Sequence, residues 1–173
     1  MAILPIVKYP DPRLRLKSEA VEDFNDDLKS LAQDMSETML DAPGAGLAAP
    51  QVGRNIRMIV IAGADNDEDF DDRCLVLVNP QITWSAGEQT YDEGCLSVTD
   101  LNEKVIRAQE IEVKAQDLDG KPFNLSADGR RAVILQHEID HLDGVLFLDH
   151  ISQLKRDIYK RKMKKMQKED SDE

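Results

Sequence analysis

The segment 136–141 reads Gln-His-Glu-Ile-Asp-His and holds two of the three histidines of the chain. Residues four apart lie on one face of an α-helix, so the imidazoles of His137 and His141 can reach one ion. The Glu138 carboxylate would then lie beside that ion and could act as a general base. The spacing therefore predicts a metal site that carries its own base. The alternative is a pair of structural histidines.

Three helices are expected to support this motif. Residues 130–142 contain neither Pro nor Gly and are bracketed by glycines, which predicts a helix over 129–143 that carries both histidines. A second helix is predicted over 24–40 and a third over 152–168. The apolar face of the helix over 24–40 consists of Leu28, Leu31, Ala32, Met35 and Met39, a pattern typical of core packing.

Short strands are predicted through the middle of the chain, where runs rich in Val and Ile are separated by turn residues. They cover 56–62, 75–78, 81–86, 105–116 and 123–125. The segment 43–51 holds two glycines and two prolines, so we expect a shaped loop there rather than the interior of an element. The acidic segment 63–72 lacks the spacing of an EF-hand and is expected to be an exposed connection.

Length and charge restrict the class of protein. A chain of 173 residues is the size of one domain, and neither a secretory leader nor a membrane span is apparent, which predicts a soluble cytoplasmic protein. The net charge is −12, but residues 155–168 hold 8 basic side chains against 1 acidic one. We therefore expect a catalytic domain over 1–154, followed over 155–173 by a basic helix and an acidic tail. That helix is suited to an anionic assembly such as ribosomal RNA, or is simply a solvated face, whereas sequence-specific nucleic-acid binding is not expected.

The third ligand of the predicted site decides its chemistry, because two imidazoles leave a tetrahedral ion one protein ligand and one open position. Six residues after the second motif histidine stands Phe147, which excludes one ligand spacing known from metalloproteases. Asp149 and His150 remain alternatives. Cys95 is the better candidate, because a thiolate is a soft anionic donor and this cysteine lies in a turn-like segment. Cys74 opens an apolar run and is predicted to be a buried core residue.

Three segments carry a resemblance to a known family. They are 44–51, Gly-Ala-Gly-Leu-Ala-Ala-Pro-Gln; 93–97, Glu-Gly-Cys-Leu-Ser; and the histidine motif at 136–141. They resemble the signature motifs of peptide deformylase in their proper order, and the resemblance extends over about 3–151. It implies an α+β fold with antiparallel β-sheets packed around the central motif helix. It also implies hydrolytic removal of the formyl group from the N-terminal formylmethionine of newly synthesised polypeptides, with release of formate.

Carried over position by position, the resemblance also implies the roles of individual residues. The implied metal ligands are Cys95, His137 and His141. Glu138 would act as acid and base, and the Gln51 side chain with the Leu96 backbone N–H would donate to an oxyanion. Gly46 would present its backbone to the substrate. The implied cofactor is one divalent ion, usually Fe²⁺, with Zn²⁺ or Ni²⁺ as replacements.

Other side chains are expected around the ion. Val133 and Ile134 precede the first motif histidine by four and three residues, which predicts that they share its face and line a methionine pocket, in addition to ordinary core packing. Glu93 and Asp140 are predicted to orient the ligand imidazoles or to pair with Arg107, since ligating histidines usually donate their second N–H.

Two positions depart from the usual pattern of the family, and two other functions compete with it. Thr99 stands where a proline is usual, and 100–104 contains no arginine. The contacts by which the family binds the peptide backbone are therefore not carried over to this chain. A zinc endopeptidase would share the histidines and the glutamate, but it has no need of Cys95. A catalytically silent, metal-folded binding module is the second alternative, and turnover of a formyl peptide separates it from an enzyme.

Overall fold

The computed structural model of the protein describes residues 2–63 and 74–171. The helices are α1 (Asp26–Asp41), α2 (Gly129–Leu142) and α3 (Gln153–Ser171). The strands are β1 (Gly46–Ala48), β2 (Met58–Ala62), β3 (Cys74–Ala86), β4 (Gln89–Cys95), β5 (Val98–Arg107), β6 (Glu110–Gln116) and β7 (Pro122–Asp128). Short 3₁₀ turns cover Pro12–Arg15, Ala49–Val52 and Phe147–His150.

All strand pairs are antiparallel and fall into two sheets. One sheet has the order β1-β2-β3-β6-β7, and the other is the hairpin β4-β5. Helix α2 packs against the five-stranded sheet, with α1 before it and α3 after it in the chain. The predicted α+β fold, with antiparallel sheets around a central motif helix, is therefore confirmed. Within the part of the chain that the structure describes, no helix is both long and apolar enough to cross a bilayer.

Strand β2 is buried on both faces and forms the centre of the core. Ile59 and Ile61 belong to the cluster that packs against α2. Met58 and Val60 point to the other face and belong to the cluster under α1. This two-sided burial explains the uninterrupted apolar run in the sequence, because neither face of the strand meets water.

Helix α1 confirms the helix predicted over 24–40. The Asn25 side chain accepts a hydrogen bond of 3.0 Å from the Leu28 backbone N–H, which satisfies one of the free donors at the helix start. The predicted apolar face is buried together with Thr38. Cys74 packs against this cluster but is half-buried rather than fully buried.

The strand predictions are wrong at two junctions. The runs at 75–78 and 81–86 form the single strand β3, because an irregularity in register at Asn79, whose φ is 50°, accommodates Pro80 without ending the strand. The run at 105–116 is two strands, since the chain leaves the hairpin after Arg107 and enters the larger sheet at Glu110. Neither Gly nor Pro marks that crossing, so the sequence carried no signal for it.

The prediction of a loop without regular structure at 43–51 is also wrong. This segment contains strand β1, which pairs Gly46 with Ile61 at one edge of the sheet, followed directly by the 3₁₀ turn Ala49–Val52. A strand of three residues is too short to show a period of two in the sequence. The predicted acidic connection at 63–72 lies outside the described residues, apart from Gly63.

Helix α3 confirms the third predicted helix and contributes to the core. Tyr159 and Met163 are buried in a cluster with Leu14, Val98 and Phe147. The Tyr159 hydroxyl donates a hydrogen bond of 2.8 Å to the Thr99 carbonyl, which ties the helix to the hairpin. The opposite side of α3 is exposed and basic. The boundary at residue 154 stays a prediction.

We expect Met163→Ala to lower the free energy of unfolding by about 2 kcal/mol, the lower end for truncating a buried methionine, since Met163 lies near the surface and is 7% exposed. Urea denaturation followed by circular dichroism measures this change. Met166→Ala is the matched control, because Met166 is 38% exposed on the same helix and its truncation should change stability by less than about 0.5 kcal/mol. Equal effects of the two substitutions would contradict the docking of α3 through Met163.

Candidate metal centre

Three side chains from two distant segments converge on one point. His137 and His141 project from the same face of α2, with ring centroids 5.0 Å apart. Cys95 reaches them from the end of β4, and its Sγ lies 3.4 Å from His141 Nε2. The three ligand atoms all lie within 4.8 Å of one another. A cysteine thiolate with two imidazoles is a donor set typical of a zinc or iron site.

The hairpin β4-β5 positions the cysteine. Cys95 pairs with Val98 across the turn formed by Leu96 and Ser97, and the register is irregular between Glu93 and Cys95. The Ser97 carbonyl accepts a hydrogen bond of 2.7 Å from the Tyr9 backbone N–H, so the N-terminal segment holds the turn in place. The sulfur is therefore directed by a tight, anchored bend.

The other candidate ligands lie elsewhere. His150 Nε2 is 3.0 Å from Asp140 Oδ2, and Asp149 forms an ion pair of 2.6 Å with Arg15. Phe147 occupies the position where one class of metalloproteases has its third histidine. Its ring stacks on that of His137 with centroids 6.0 Å apart, so this residue packs against a ligand instead of binding an ion.

The imidazole of His137 is oriented by a buried carboxylate. Its Nδ1 lies 2.8 Å from Glu93 Oε1, which leaves Nε2 to face the sulfur. Glu93 in turn accepts hydrogen bonds of 2.8 and 2.9 Å from the Arg107 guanidinium. Burial alone would raise the pKa of Glu93, but the hydrogen bonds from Arg107 and His137 outweigh it and lower the pKa to about 2. A permanently charged carboxylate therefore holds the His137 ring.

The buried network continues to the surface. Arg107 Nη1 donates a hydrogen bond of 2.6 Å to Asp140 Oδ2, which also contacts His150. The predicted pairing with Arg107 thus holds for both Glu93 and Asp140, whereas only Glu93 contacts a predicted ligand among the described residues. Sequence reasoning did not foresee the contact with His150, because no local pattern links a residue after the helix to one inside it.

The electrostatics of this point suit a cation. Burial alone would lower the pKa of His137, yet hydrogen bonds with Cys95 and Glu93 raise it well above its ordinary value. Burial, followed by the nearby charge of His137, lowers the pKa of His141 well below its ordinary value, so this imidazole is neutral. The lone pair of its Nε2 can therefore bind a cation. Within residues 2–63 and 74–171, Glu138 Oε2 is buried without a hydrogen-bond partner. This is expected of an oxygen that forms its hydrogen bond with a bound molecule.

Glu138 is buried beside the triad. Its Oε1 lies 3.9 Å from His137 Nε2, and burial raises its pKa to about 7. Gly46 of β1 lies directly opposite, where an added Cβ would be 2.8 Å from Glu138 Cγ. Only glycine allows the strand backbone to approach this carboxyl so closely. A carboxyl with a pKa near neutrality can both accept and donate a proton at physiological pH.

Gln51 brings an amide to the same point from the 3₁₀ turn after β1. Its Nε2 lies 3.1 Å from Ser97 Oγ and 3.5 Å from Cys95 Sγ, while its Oε1 accepts a hydrogen bond of 2.9 Å from the Ala48 backbone N–H. Leu96 follows Cys95 in the turn, and its carbonyl, in the Leu96–Ser97 peptide, accepts a hydrogen bond of 2.6 Å from Lys8 Nζ. Both residues that the resemblance names as oxyanion donors therefore border the triad.

An open cavity of about 400 Å³ gives access to these groups. Residues from four segments line it, including all of the predicted site residues except His141: Gly46, Gln51, Cys95, Leu96, Val133, Ile134, His137 and Glu138. Tyr91 and Arg130 also line it and were not identified from the sequence. The sequence could have indicated that Arg130 lines the cavity, because Arg130 precedes Val133 and Ile134 by three and four residues and so lies on the same face of α2.

A cysteine and two histidines beside a buried carboxyl, at the base of an open cavity, define a class of candidate hydrolytic metal centres. Comparison with known proteins identifies the family within that class. The family model described as polypeptide deformylase matches residues 3–157. The chain is 49% identical over 165 residues to a peptide deformylase of Desulfotalea psychrophila, covering 95% of this chain and 97% of the relative. It is 50% identical over 169 residues to one of Syntrophobacter fumaroxidans, covering 98% of each.

Solved structures agree with the sequence comparison. A peptide deformylase from Legionella pneumophila superposes with a TM-score of 0.88 at 44% identity, covering 99% of both chains. One from Ehrlichia chaffeensis in complex with actinonin superposes with a TM-score of 0.88 at 39% identity, covering 96% of this chain and 98% of the other. The chain belongs to the peptide deformylase family and is an enzyme.

Proposed function

We propose that this enzyme removes the formyl group from the N-terminal formylmethionine of newly synthesised polypeptides, with one divalent cation held by Cys95, His137 and His141. The observation that carries the proposal is the convergence of these three ligand atoms within 4.8 Å, next to the enclosed Glu138 carboxyl. Family membership supports the reaction, and the donor set supports the cation.

The cation would supply Lewis acidity at the formyl oxygen and make a nearby water more acidic. We take Fe²⁺ as the ion in the cell, as the resemblance implies, although two imidazoles and a thiolate suit Zn²⁺ equally and Ni²⁺ is a further replacement. The His137 ring is held for this task through Nδ1 by Glu93, so that its Nε2 remains available.

Glu138 moves the proton in the proposed reaction. Its carboxylate accepts a proton from water as the water oxygen bonds to the formyl carbon. The Gln51 Nε2–H and the Leu96 backbone N–H donate hydrogen bonds to the oxyanion that develops on the formyl oxygen. When the C–N bond breaks, Glu138 passes its proton to the departing nitrogen, which leaves formic acid and a free amino terminus. The acid then releases its remaining proton and becomes formate, and the amino terminus takes up a proton at neutral pH. Atoms and charge balance without a further reactant.

The methionine side chain would enter the apolar part of the cavity. Val133 and Ile134 lie along the same face of α2 as the ligand histidines, and both line the cavity. Because Gly46 carries no side chain, its strand can offer backbone groups to the peptide at close range. The apolar part of the cavity can therefore receive the methionine side chain next to the formyl group.

Formate release from formyl-Met-Ala-Ser tests the proposal. The enzyme should be purified anaerobically, and its metal content should be measured on the same sample. Turnover with one bound divalent ion per chain is the expected result. Cleavage of internal peptide bonds would instead favour the zinc endopeptidase, and a bound ion without turnover would favour the silent binding module.

Removal of the Gln51 amide is expected to lower kcat on this peptide by about 10²–10³-fold, the usual effect of losing one oxyanion donor. Gln51→Leu is the test variant, with kcat and bound metal measured together. Gln81→Leu is the control, because Gln81 is exposed on β3 and does not border the cavity. A kcat within a few-fold of the wild-type value at equal metal content would contradict the donor role.

Contact with the ribosome through α3 and a cytoplasmic location stay predictions. The exposed basic residues of α3 are Lys155, Lys160, Arg161, Lys162, Lys164, Lys165 and Lys168. Lys155 is already engaged with Glu103 at 2.9 Å. The helix thus buries one side in the core and leaves the charged side outward, as either a docking surface or a solvated face would require.

A further inference from the structure

The Arg130 guanidinium lies in the cavity of the candidate metal centre and has no part in the proposed reaction. Its Nε donates a hydrogen bond of 3.1 Å to the Tyr91 hydroxyl, and both residues line the cavity. Arg130 precedes Val133 and Ile134 by three and four residues on α2, so it extends their face away from His137. It therefore stands at the outer part of the cavity, beyond the apolar wall.

The charge of Arg130 is not neutralised by its described surroundings. Among residues 2–63 and 74–171, no carboxylate forms an ion pair with it, and its hydrogen-bond partner is the neutral phenol of Tyr91. Asp92 also borders the cavity, but it alternates with Tyr91 and Glu93 along β4, so its side chain is directed to the opposite face. The terminal nitrogens of Arg130 thus remain available to a ligand.

Arg130 also lies at a place on its helix where a cation is unfavourable. It lies in the first turn of α2, which contains no acidic residue, and the Asp128 side chain does not cap the helix start. The exposed N–H groups at a helix start carry partial positive charge, so a cation there is unfavourable for the helix. An anionic group in the cavity would interact favourably with both the guanidinium and the helix start.

We propose that Arg130 is a specificity-determining residue that favours formylated peptides with Asp or Glu at one of the two positions after the formylmethionine. The inference rests on the proposed function, because the peptide must first place its formyl group at the triad. With a net charge of −12 the protein as a whole repels acidic peptides, so a preference for them has to arise from a local cation.

Matched peptides test the inference. The wild-type enzyme is assayed for formate release from formyl-Met-Asp-Ser and formyl-Met-Lys-Ser, and from formyl-Met-Ala-Asp and formyl-Met-Ala-Lys. We expect kcat/KM to favour the acidic peptide of at least one pair by about fivefold at low salt, chiefly through KM, as one partly exposed ion pair would produce. The ratio should fall towards one at about 0.5 M salt because the charges are screened.

Variants then assign the preference to Arg130. Arg130→Gln should bring the ratio to one or below, because only the repulsion by the acidic protein then remains. Arg130→Lys should keep part of the preference, and Tyr91→Phe should reduce it by releasing the guanidinium. Arg54→Gln is the control, because it removes the same charge from an exposed position outside the cavity and should leave the ratio unchanged. A loss of stability alone would not change the ratio between two peptides of opposite charge.

The failures of the inference and of the proposed function are distinguishable. Turnover of formyl-Met-Ala-Ser with equal kcat/KM for acidic and basic peptides would overturn the inference and leave the proposed function standing. A ratio that survives in Arg130→Gln would also overturn it. Absence of turnover on every formyl peptide by the metal-loaded enzyme would overturn the proposed function and the inference together. If Arg130→Gln does not fold, Arg130→Lys and Tyr91→Phe take its place, and a ratio unchanged from the wild type in both would overturn the inference.

Discussion

Replacing Glu138 with glutamine is expected to lower kcat for formyl-Met-Ala-Ser by about 10²–10⁴-fold, the range that general acid and base catalysis contributes. Glutamine keeps the size and the hydrogen-bonding shape of the side chain but can neither accept the proton of water nor pass it on. The effect should fall on kcat rather than KM, because in the proposed reaction Glu138 acts only as the bonds change. Steady-state kinetics on samples with measured metal content provide the test.

Two further observations make this experiment specific. Burial raises the pKa of Glu138 to about 7, so the charged form is unfavourable in the fold and the neutral side chain of Glu138→Gln should melt no lower than the wild type. Glu110→Gln is the control, because Glu110 is exposed at the start of β6 and outside the cavity. If Glu138→Gln retained most of its rate with metal occupancy matched, the acid and base role would be wrong.

The second large effect is expected at Cys95. Cys95→Ser replaces the sulfur by a hydroxyl, a much weaker ligand, in a triad whose ligand atoms all lie within 4.8 Å of one another. Loss of a partner that merely supports a ligand already weakens metal binding by about 10–100-fold, so loss of a ligand should exceed about 100-fold. Competition with a chromophoric chelator measures the affinity, and formate release should fall in parallel.

Cys74 supplies the matched control for this substitution. It is half-buried in the cluster under α1, away from the triad. Burial raises the pKa of its thiol, so the thiol is neutral. Cys74→Ser should leave metal affinity and turnover unchanged. A zinc endopeptidase that uses only the histidines and the glutamate would tolerate Cys95→Ser, and that outcome would refute the assignment of the thiolate as a ligand.

Helices were predicted closely because their signals are local. The apolar face of α1 repeats with the period of the helix, and glycines bracket α2, so both were located within two residues of their observed ends. Strand boundaries depend on partners far away in the chain. The run at 105–116 looks continuous in sequence, yet its two halves pair with different sheets, and only those pairings separate β5 from β6.

Around the site, too, the sequence indicated some neighbours and missed others. Sequence reasoning named Glu93, Asp140 and Arg107 as a group that could interact, and the structure arranges them as a network that holds His137 and continues to His150. It did not identify Arg130 as a cavity residue, although the helical period placed it on the correct face. A basic residue at the start of a helix is usually solvated, so its type gave no signal of a binding role.

The pairing of His137 with His141, and the position of Glu138 beside them, follow from the sequence by itself, because the pitch of a helix determines which side chains share a face. The sequence also placed the chain in its family through three spaced motifs. Only the tertiary structure decided that the Cys95 sulfur, 46 residues before His141, lies 3.4 Å from its ring. That distance results from the docking of the hairpin β4-β5 against α2, and long-range packing of this kind leaves no periodic trace in the chain.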